Sequence, residues 1–200
     1  MAATAFLKGL GLGGSLIVAI GSQNAYLLRQ ALKREFVLTC VAVCVVCDMA
    51  LIAAGVAGMG QLITGVPALL WWLKLGGAAF LLAYGWRAAR SALRPAALVA
   101  GDGATVASRG AVVAAMLTFT LLNPHVYLDV ILLGSIGGQQ AGNGRLYFAA
   151  GAMAASLAWF SGLGWGARYL APVFALPRAW QVLDGVIAVV MWTIAASLLV

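Results

Sequence analysis

The chain has 200 residues, of which 64% are hydrophobic and only 8% are charged, and its mean hydropathy is +1.03. A soluble domain of this size does not need so apolar a composition, so the sequence predicts an integral membrane protein. The net charge of +7 comes from basic residues clustered between apolar runs, with no aromatic-rich soluble platform beside them. This pattern argues against a nucleic-acid partner and for the lipid bilayer.

Six apolar segments follow one another along the chain, and each is long enough for a helix to cross the hydrocarbon layer. We number them segments 1 to 6, and they cover roughly residues 4–28, 36–60, 65–88, 110–136, 145–171 and 179–200. They are continuous runs rather than short alternations of apolar and polar residues, which predicts helices and not a transmembrane barrel. We expect segment 1 to be a membrane helix and not a cleaved signal peptide, because it carries no convincing small-residue cleavage site.

The basic residues predict the orientation of these segments. They lie mainly in the connections after segments 1, 3 and 5, and the exceptions among the twelve are Lys8, Lys74 and Arg145. Under the positive-inside rule those connections are cytoplasmic, and both ends of the chain are then outside. The polar stretch 91–109 is typical of a flexible cytoplasmic loop. It divides one membrane domain, 1–200, into a first half, 1–90, and a second half, 110–200.

The two halves resemble each other when the chain is shifted against itself by 108 residues. The shift aligns Asp48 with Ser156, and it aligns Trp72, Leu75, Gly77 and Tyr84 with Trp180, Leu183, Gly185 and Trp192. Three helices per repeat force the halves into opposite orientations. The predicted fold class is therefore all-α integral membrane, with six transmembrane helices as two inverted three-helix repeats, the plan of many secondary transporters.

Segments 1 and 4 are interrupted by polar residues near their middles. The interruptions are Gly21–Asn24 and Asn123–His125, and Pro124 frees backbone carbonyls that only a partner or a cavity can satisfy at membrane depth. In inverted-repeat transporters the substrate binds at such broken helices. We therefore predict helix breaks at Gly21 and Pro124. Gln23, Asn24 and Asn123 are the candidate substrate-binding amides, and the alternative is a kinked helix with interhelical hydrogen bonds.

Three aspartates and the histidine of the chain lie within the apolar segments. Asp48 is central in segment 2, where a charge is costly, so it is the first candidate for a cation-binding group. The alternative is a structural ion pair between Asp48 and Lys74 or Arg87.

His125 and Asp129, four residues apart, share a helix face and are candidates for proton coupling together with Asp48. We expect Asp184 to lie at the interface and to stabilise the start of segment 6.

Cys40, Cys44 and Cys47 fall on one helix face, and the last two form a C-x-x-C pattern. This pattern permits a membrane thiol oxidoreductase or a soft-metal site. No other cysteine or histidine completes a metal shell, so we favour cysteine as a small apolar packing residue, with no metal, no cofactor and no enzymatic activity. Glycines four residues apart, as at Gly9 and Gly13, favour close helix packing within the chain or in a homo-oligomer.

Several of these stretches together resemble the lysine exporter superfamily, and within it the lysine/arginine exporter branch. They are GSQN at 21–24, CD at 47–48, LGGAAFLL at 75–82, LNPHVYLD at 122–129 and LGSIGGQ at 133–139. Members of the family usually have Gly-Pro-Gln-Asn in the first segment, and here Ser22 stands where that proline would be. The substitution predicts a less sharp break in segment 1 than in segment 4.

The resemblance implies a bacterial inner-membrane protein that exports L-arginine, L-lysine or canavanine. We expect Asp48, Gln23, Asn24, Asn123 and Tyr127 to bind the substrate, with proton antiport and alternating access. Two rival hypotheses remain: an exporter of neutral amino acids, in which Asp48 has a structural role, and a structural subunit of a larger complex.

Overall fold

The computed structural model describes residues 2–18, 21–59, 67–93, 108–170 and 172–199. Most of the predicted loop 91–109 therefore lies outside the described residues. Within the described ranges the chain forms eight α-helices. They are α1 (Ala2–Ile17), α2 (Ser22–Lys33), α3 (Val37–Ala54), α4 (Pro67–Leu93), α5 (Arg109–Leu121), α6 (Pro124–Gly138), α7 (Gly144–Gly166) and α8 (Pro177–Leu199).

Several of these helices are long and apolar enough to cross a membrane. Three single stretches meet this description, namely Val37–Gly58, Gly144–Leu170 and Arg178–Leu199. Two bent pairs bring the number to five: α1 with α2, which meet at 78°, and α5 with α6, which meet at 59°. The predicted segments 1 and 4 are thus each two helices, and the bend in segment 1 is the sharper one. The expectation that Ser22 weakens the first break is wrong.

The outer surface of the helices is apolar. Large aliphatic side chains such as Leu38, Val46 and Val182 are 64–69% exposed along α3 and α8. Contiguous apolar surface of this kind is unfavourable in water and favourable against lipid. Together with the long apolar helices, it defines a multi-pass membrane protein.

Helices α1 and α7 pack side by side through small residues. A side chain at Gly9 or Gly13 of α1 would meet Phe148 or Ala152 of α7, and one at Gly151 of α7 would meet the backbone of Phe6. The contacts advance along both helices together, so the helices run parallel. The Gly9–Gly13 pattern therefore serves packing within the chain.

Two other pairs of helices run antiparallel. In α4 and α8, Gly77 faces Leu198 and Gly85 faces Trp192, so the contacts run in opposite directions along the two helices. In α3 and α7, Gly164 contacts Val41 and Ser156 contacts Asp48, with the same reversal. Each pair joins one helix of the first half to the corresponding helix of the second half under the shift of 108 residues.

Apolar side chains form two cores of different size. The larger core includes Tyr26, Cys40, Met116 and Phe119, and it lies beside α2 and α5. The smaller core includes Phe148 and lies beside the ends of α3 and α6. The large core extends along α4 and α8 and includes residues of α2, α3 and α5.

The close contact between α1 and α7 predicts that Gly151→Ala destabilises the protein. The added methyl group would overlap the Phe6 backbone, and such overpacking typically costs about 1–3 kcal/mol. Gly162→Ala is the matched control, because nothing lies within 4 Å of an added side chain at that glycine of the same helix. Thermal unfolding in detergent, followed by fluorescence-detected size exclusion, should give a lower Tm for Gly151→Ala. Equal Tm values for the two variants would contradict the parallel packing.

Candidate functional site

The first helix break lies between Ile17 and Gly21 and is closed by the side chain of Asn24. The Asn24 amide donates a 3.0 Å hydrogen bond to the carbonyl of Ile17 at the end of α1. The Asn24 oxygen accepts a 3.3 Å hydrogen bond from the indole of Trp159 in α7. A backbone carbonyl freed at membrane depth needs such a partner. Asn24 therefore holds the break in place as well as lining the space beside it.

The second break is closed in the same manner by a different side chain. Asn123 caps α6 by accepting a 3.2 Å hydrogen bond from the His125 backbone N–H, and Pro124 occupies the first helical position, where its missing N–H costs nothing. The Tyr127 hydroxyl donates a 2.8 Å hydrogen bond to the carbonyl of Leu121 at the end of α5. Each break thus has one side chain from the following helix that satisfies a carbonyl of the preceding helix.

A cavity lies between the two breaks. It contains about 660 Å³ of space not occupied by protein atoms, part of it open to the outside. Its polar lining residues are Gln23, Asn24, Asp48, Asn123 and Asp129. Its apolar lining residues include Leu16, Ile17, Leu51, Ile52, Val126, Val130, Leu133 and Phe160. The cavity carries two carboxylates and three amides, while none of the described lining residues is basic.

Asp48 is buried, and its described hydrogen bond is with a hydroxyl group and not with a cation. Ser156 Oγ donates a 2.8 Å hydrogen bond to Asp48 Oδ2, which joins the two residues that the shift of 108 aligns. Lys74 and Arg87 are both exposed, and no ion pair joins either to Asp48 among the described residues. The alternative hypothesis, a structural ion pair between Asp48 and Lys74 or Arg87, is therefore wrong for the described residues.

The prediction for Asp184 is wrong. Its side chain is fully buried and lies 3.3 Å from Arg29 Nε, in an ion pair between α2 and α8. Arg29 itself was expected to be one of the solvent-facing charges that set orientation, yet it is directed inward. In the structure Arg29 falls within α2, the helix that continues segment 1, rather than in the connection after it.

The amide of Gln23 is an unsatisfied polar group at the cavity. Its Nε2 atom is buried without a hydrogen-bond partner among the described residues, and Gln23 lies beside the weakly polar thiol of Cys44. Gln23 also lies in the first turn of α2, where N–H groups precede the first helical hydrogen bond, donated by Ala25 to Gly21. A helix start with a free amide donor favours a bound anionic group such as a carboxylate.

Other predicted site residues lie outside the cavity. Tyr127 closes the second break, as described above, and the exposed His125 is not among the lining residues. Cys40 and Cys44 are buried in the large core as free thiols, and Cys47 is partly buried. Trp159 and Ser156 have site contacts that the sequence did not reveal, although the alignment of Ser156 with Asp48 was one available signal.

Long apolar helices, an apolar outer surface and an acidic cavity at two helix breaks define a multi-pass membrane protein with an internal polar cavity. The chain belongs to the LysE type translocator family, whose model matches residues 14–200. This match confirms the resemblance found in the sequence.

Two kinds of relative illustrate the family. A Mycobacterium tuberculosis (strain H37Rv) protein named as a provisional amino-acid transporter is 48% identical over 93% of this chain and 92% of its own. The arginine exporter proteins ArgO of Pectobacterium carotovorum and Klebsiella pneumoniae are 41% and 39% identical, over 96% and 98% of this chain and 95% and 93% of theirs. No solved structure matches the chain significantly.

The hydrogen bond from Ser156 predicts that Ser156→Ala destabilises the protein. The substitution leaves a buried carboxylate without its donor, and hydrogen bonds to charged groups contribute about 1.5–3 kcal/mol. Ser135→Ala is the matched control, because that exposed hydroxyl bonds only to the carbonyl of Leu132 in its own helix. We expect a lower Tm in detergent for Ser156→Ala than for Ser135→Ala. Restoration by Ser156→Thr would assign the effect to the hydroxyl group.

Proposed function

We propose that this protein is a secondary transporter that exports basic amino acids, L-arginine first and also L-lysine and canavanine, across the bacterial inner membrane. The observation that carries the proposal is the composition of the cavity, which combines two carboxylates with three amides and no described basic side chain. A cavity of this charge selects cations and disfavours solutes without positive charge. The names of the relatives as arginine exporters support the same substrate class.

The site contains complementary groups for both ends of arginine. Asp48 and Asp129 provide acceptors for a guanidinium or ammonium group. The unsatisfied Gln23 amide and the start of α2 provide donors for the α-carboxylate. In this arrangement we place Asn123 between the acceptors for the cationic group and the donors for the α-carboxylate. Asn24 acts indirectly by holding the first break. Tyr127 likewise acts through the second break, because its hydroxyl is engaged by Leu121.

The transporter is organised in this proposal as two inverted repeats of three spans, 1–90 and 110–200. The relative directions of the helices support it: α1 is parallel to α7, and α3 and α4 are antiparallel to their counterparts α7 and α8. These are the directions that six alternating crossings require. Helix α4 supplies the remaining crossing, since its 27 residues extend about 40 Å, more than the hydrocarbon thickness. The contact between Asp48 and Ser156 lies where the two halves meet.

Export of a cation from a cell with a negative interior requires energy. The membrane potential opposes each exported charge by about 2.3 kcal/mol per 100 mV. A cavity with two carboxylates can exchange one bound proton for one bound cation while its net charge stays the same. We propose that Asp48 binds the substrate cation and that Asp129 carries the proton in the opposite direction, which gives antiport. His125, one turn before Asp129, is the route by which that proton reaches Asp129 from the exterior.

The role of Asp48 predicts that Asp48→Asn abolishes most arginine efflux. Loss of the charge partner of a buried guanidinium costs about 2 kcal/mol or more, or roughly 30-fold in affinity. Cells preloaded with an arginine dipeptide should release labelled arginine slowly with this variant and rapidly with the natural sequence, at equal membrane levels. Asp102→Asn, in the polar stretch between the halves, is the matched carboxylate-to-amide control. Unchanged efflux with Asp48→Asn would refute the role of this residue.

Inhibition by competing amino acids distinguishes an exporter of basic amino acids from the rival hypothesis, an exporter of neutral amino acids. Lysine and canavanine should inhibit arginine efflux, whereas threonine and leucine should not. Inhibition by threonine or leucine with equal strength would favour an exporter of neutral amino acids.

The role of Asp129 predicts a specific loss of coupling. In proteoliposomes, Asp129→Asn should still exchange labelled for unlabelled arginine across the bilayer, because Asp48 and Gln23 remain. It should not accumulate arginine against its gradient when a pH gradient is imposed, because no group exchanges the proton. The natural sequence should do both. Retention of pH-driven accumulation by Asp129→Asn would remove Asp129 from the coupling mechanism.

A further inference from the structure

The ion pair between Arg29 and Asp184 is the most deeply buried pair of opposite charges in the part of the chain that the structure describes. Asp184 is fully buried, and the Arg29 side chain is 18% exposed. Arg29 Nη2 donates a 3.3 Å hydrogen bond to Asp184 Oδ2, and Arg29 Nη1 lies 3.5 Å from the Tyr84 hydroxyl. Arg29 Nε and Asp184 Oδ1 are 3.3 Å apart but poorly aligned for a hydrogen bond. The pair is therefore looser than a bidentate arginine–carboxylate pair.

This pair connects the two halves of the chain. Arg29 belongs to α2 in the first half, whereas Asp184 belongs to α8 in the second half, 155 residues away. A rearrangement that moves one half relative to the other at this point has to separate the two charges. A long and imperfectly aligned pair suits a contact that opens and closes.

Aromatic side chains fill the space beside the pair. Phe119 of α5 lies 5.1 Å from Tyr26, 4.8 Å from Tyr84 and 4.8 Å from Phe80, measured between ring centroids. Tyr26 also receives a 2.9 Å hydrogen bond from Gln30. This aromatic cluster, formed by Tyr26, Phe80, Tyr84 and Phe119, packs within and against the large core beside the pair.

The pair and the cavity lie on opposite sides of the helix breaks. Arg29 and Tyr26 follow the first break along α2, and Phe119 precedes the second break along α5. The cavity instead includes the ends of α1 and the first turns of α6 that follow the second break. In the proposed topology, the pair is on the cytoplasmic side and the cavity opens on the other side.

Among the described residues, the opposite side has no equivalent of this pair. The shift of 108 residues aligns Arg29 with Gly137, Tyr26 with Gly134 and Asp184 with Gly76. Gly134 instead packs against the backbone of Gly55. The two ends of the path therefore differ, with charges and aromatic rings at one end and a close backbone contact between Gly134 and Gly55 at the other.

We propose that the Arg29–Asp184 pair and the aromatic cluster form the cytoplasmic gate of the transporter, and that the pair must separate before the cavity can be loaded from that side. This inference rests on the proposed function, because a gate presupposes a transport path. Arg29, Asp184 and Tyr84 act by positioning the two halves and do not bind substrate in the cavity. Weakening the pair shifts the protein from the state described here toward a state open to the cytoplasm.

Accessibility of two single cysteines tests the gate independently of arginine transport. The first reporter is the native Cys40, buried in the large core near Tyr26, in a chain with Cys44→Ala and Cys47→Ala. The second reporter is Val126→Cys, in the cavity lining, in a chain with all three native cysteines replaced by alanine. A charged, membrane-impermeant methanethiosulfonate is applied separately to each face of sealed vesicles.

The test variant is Arg29→Gln with Asp184→Asn, which removes the attraction without leaving an unpaired buried charge. We expect Cys40 to react about tenfold faster from the side on which Arg29 lies, and Val126→Cys to react more slowly from the other side. A tenfold change corresponds to a shift of about 1.4 kcal/mol in the equilibrium between the described state and the state open to the cytoplasm. Arg29→Asp with Asp184→Arg should return both rates toward the original values. Arg109→Gln is the matched control, because Arg109 is an exposed arginine that bonds to Thr39.

The two reporters together distinguish a gate from a general loss of packing. Faster labelling of both reporters would indicate a general loosening of the structure and would overturn the gate. Unchanged labelling of both reporters in the Arg29→Gln and Asp184→Asn variant would also overturn it. Reciprocal changes in a protein that does not export arginine would uphold the gate and overturn the substrate assignment. Labelling therefore tests the gate and efflux tests the substrate assignment, and either hypothesis can be refuted without the other.

Discussion

The constraint on which the structure depends is that backbone groups freed at a helix break have no water to bond with inside a membrane. Both breaks meet this constraint with a side chain that reaches back across the break, from Asn24 to Ile17 and from Tyr127 to Leu121. Because the carbonyls of the preceding helices are satisfied in this manner, the starts of α2 and α6 remain directed at the space between them. The cavity is a consequence of two breaks that were each stabilised locally.

The two buried carboxylates Asp184 and Asp48, which lie on opposite sides of the breaks, have different partners. Asp184 is neutralised by an arginine of its own chain, in a region filled by aromatic side chains. Asp48 receives only a hydroxyl group from Ser156 and faces open space, together with Asp129. A carboxylate without an internal cation is costly in an apolar environment unless a solute supplies the positive charge. This contrast underlies our two proposals, that the Arg29–Asp184 pair closes the protein and that the cavity binds a cation.

The contacts between helices also differ in how readily they move. Helices α1 and α7 meet through backbone atoms at Gly9, Gly13 and Gly151, with no room for even a methyl group. Such contacts are rigid because any change in separation is a steric clash or a lost contact. Since α1 and α7 come from different halves, a rearrangement around the cavity carries them together. The Arg29–Asp184 contact, which relies on charge over a longer distance, is the one that can separate and form again.

The sequence by itself determined the class of protein, the positions of the apolar segments, the two breaks and all five polar residues that line the cavity. These properties depend on composition and on depth along a single helix, which can be read from one segment at a time. Only the tertiary structure decided which partner each buried charge has. Asp184 was expected at the interface and Asp48 was a candidate for an ion pair, yet the cation lies beside Asp184. Partners 108 or 155 residues apart depend on how helices pack, and packing is a property of the assembled chain.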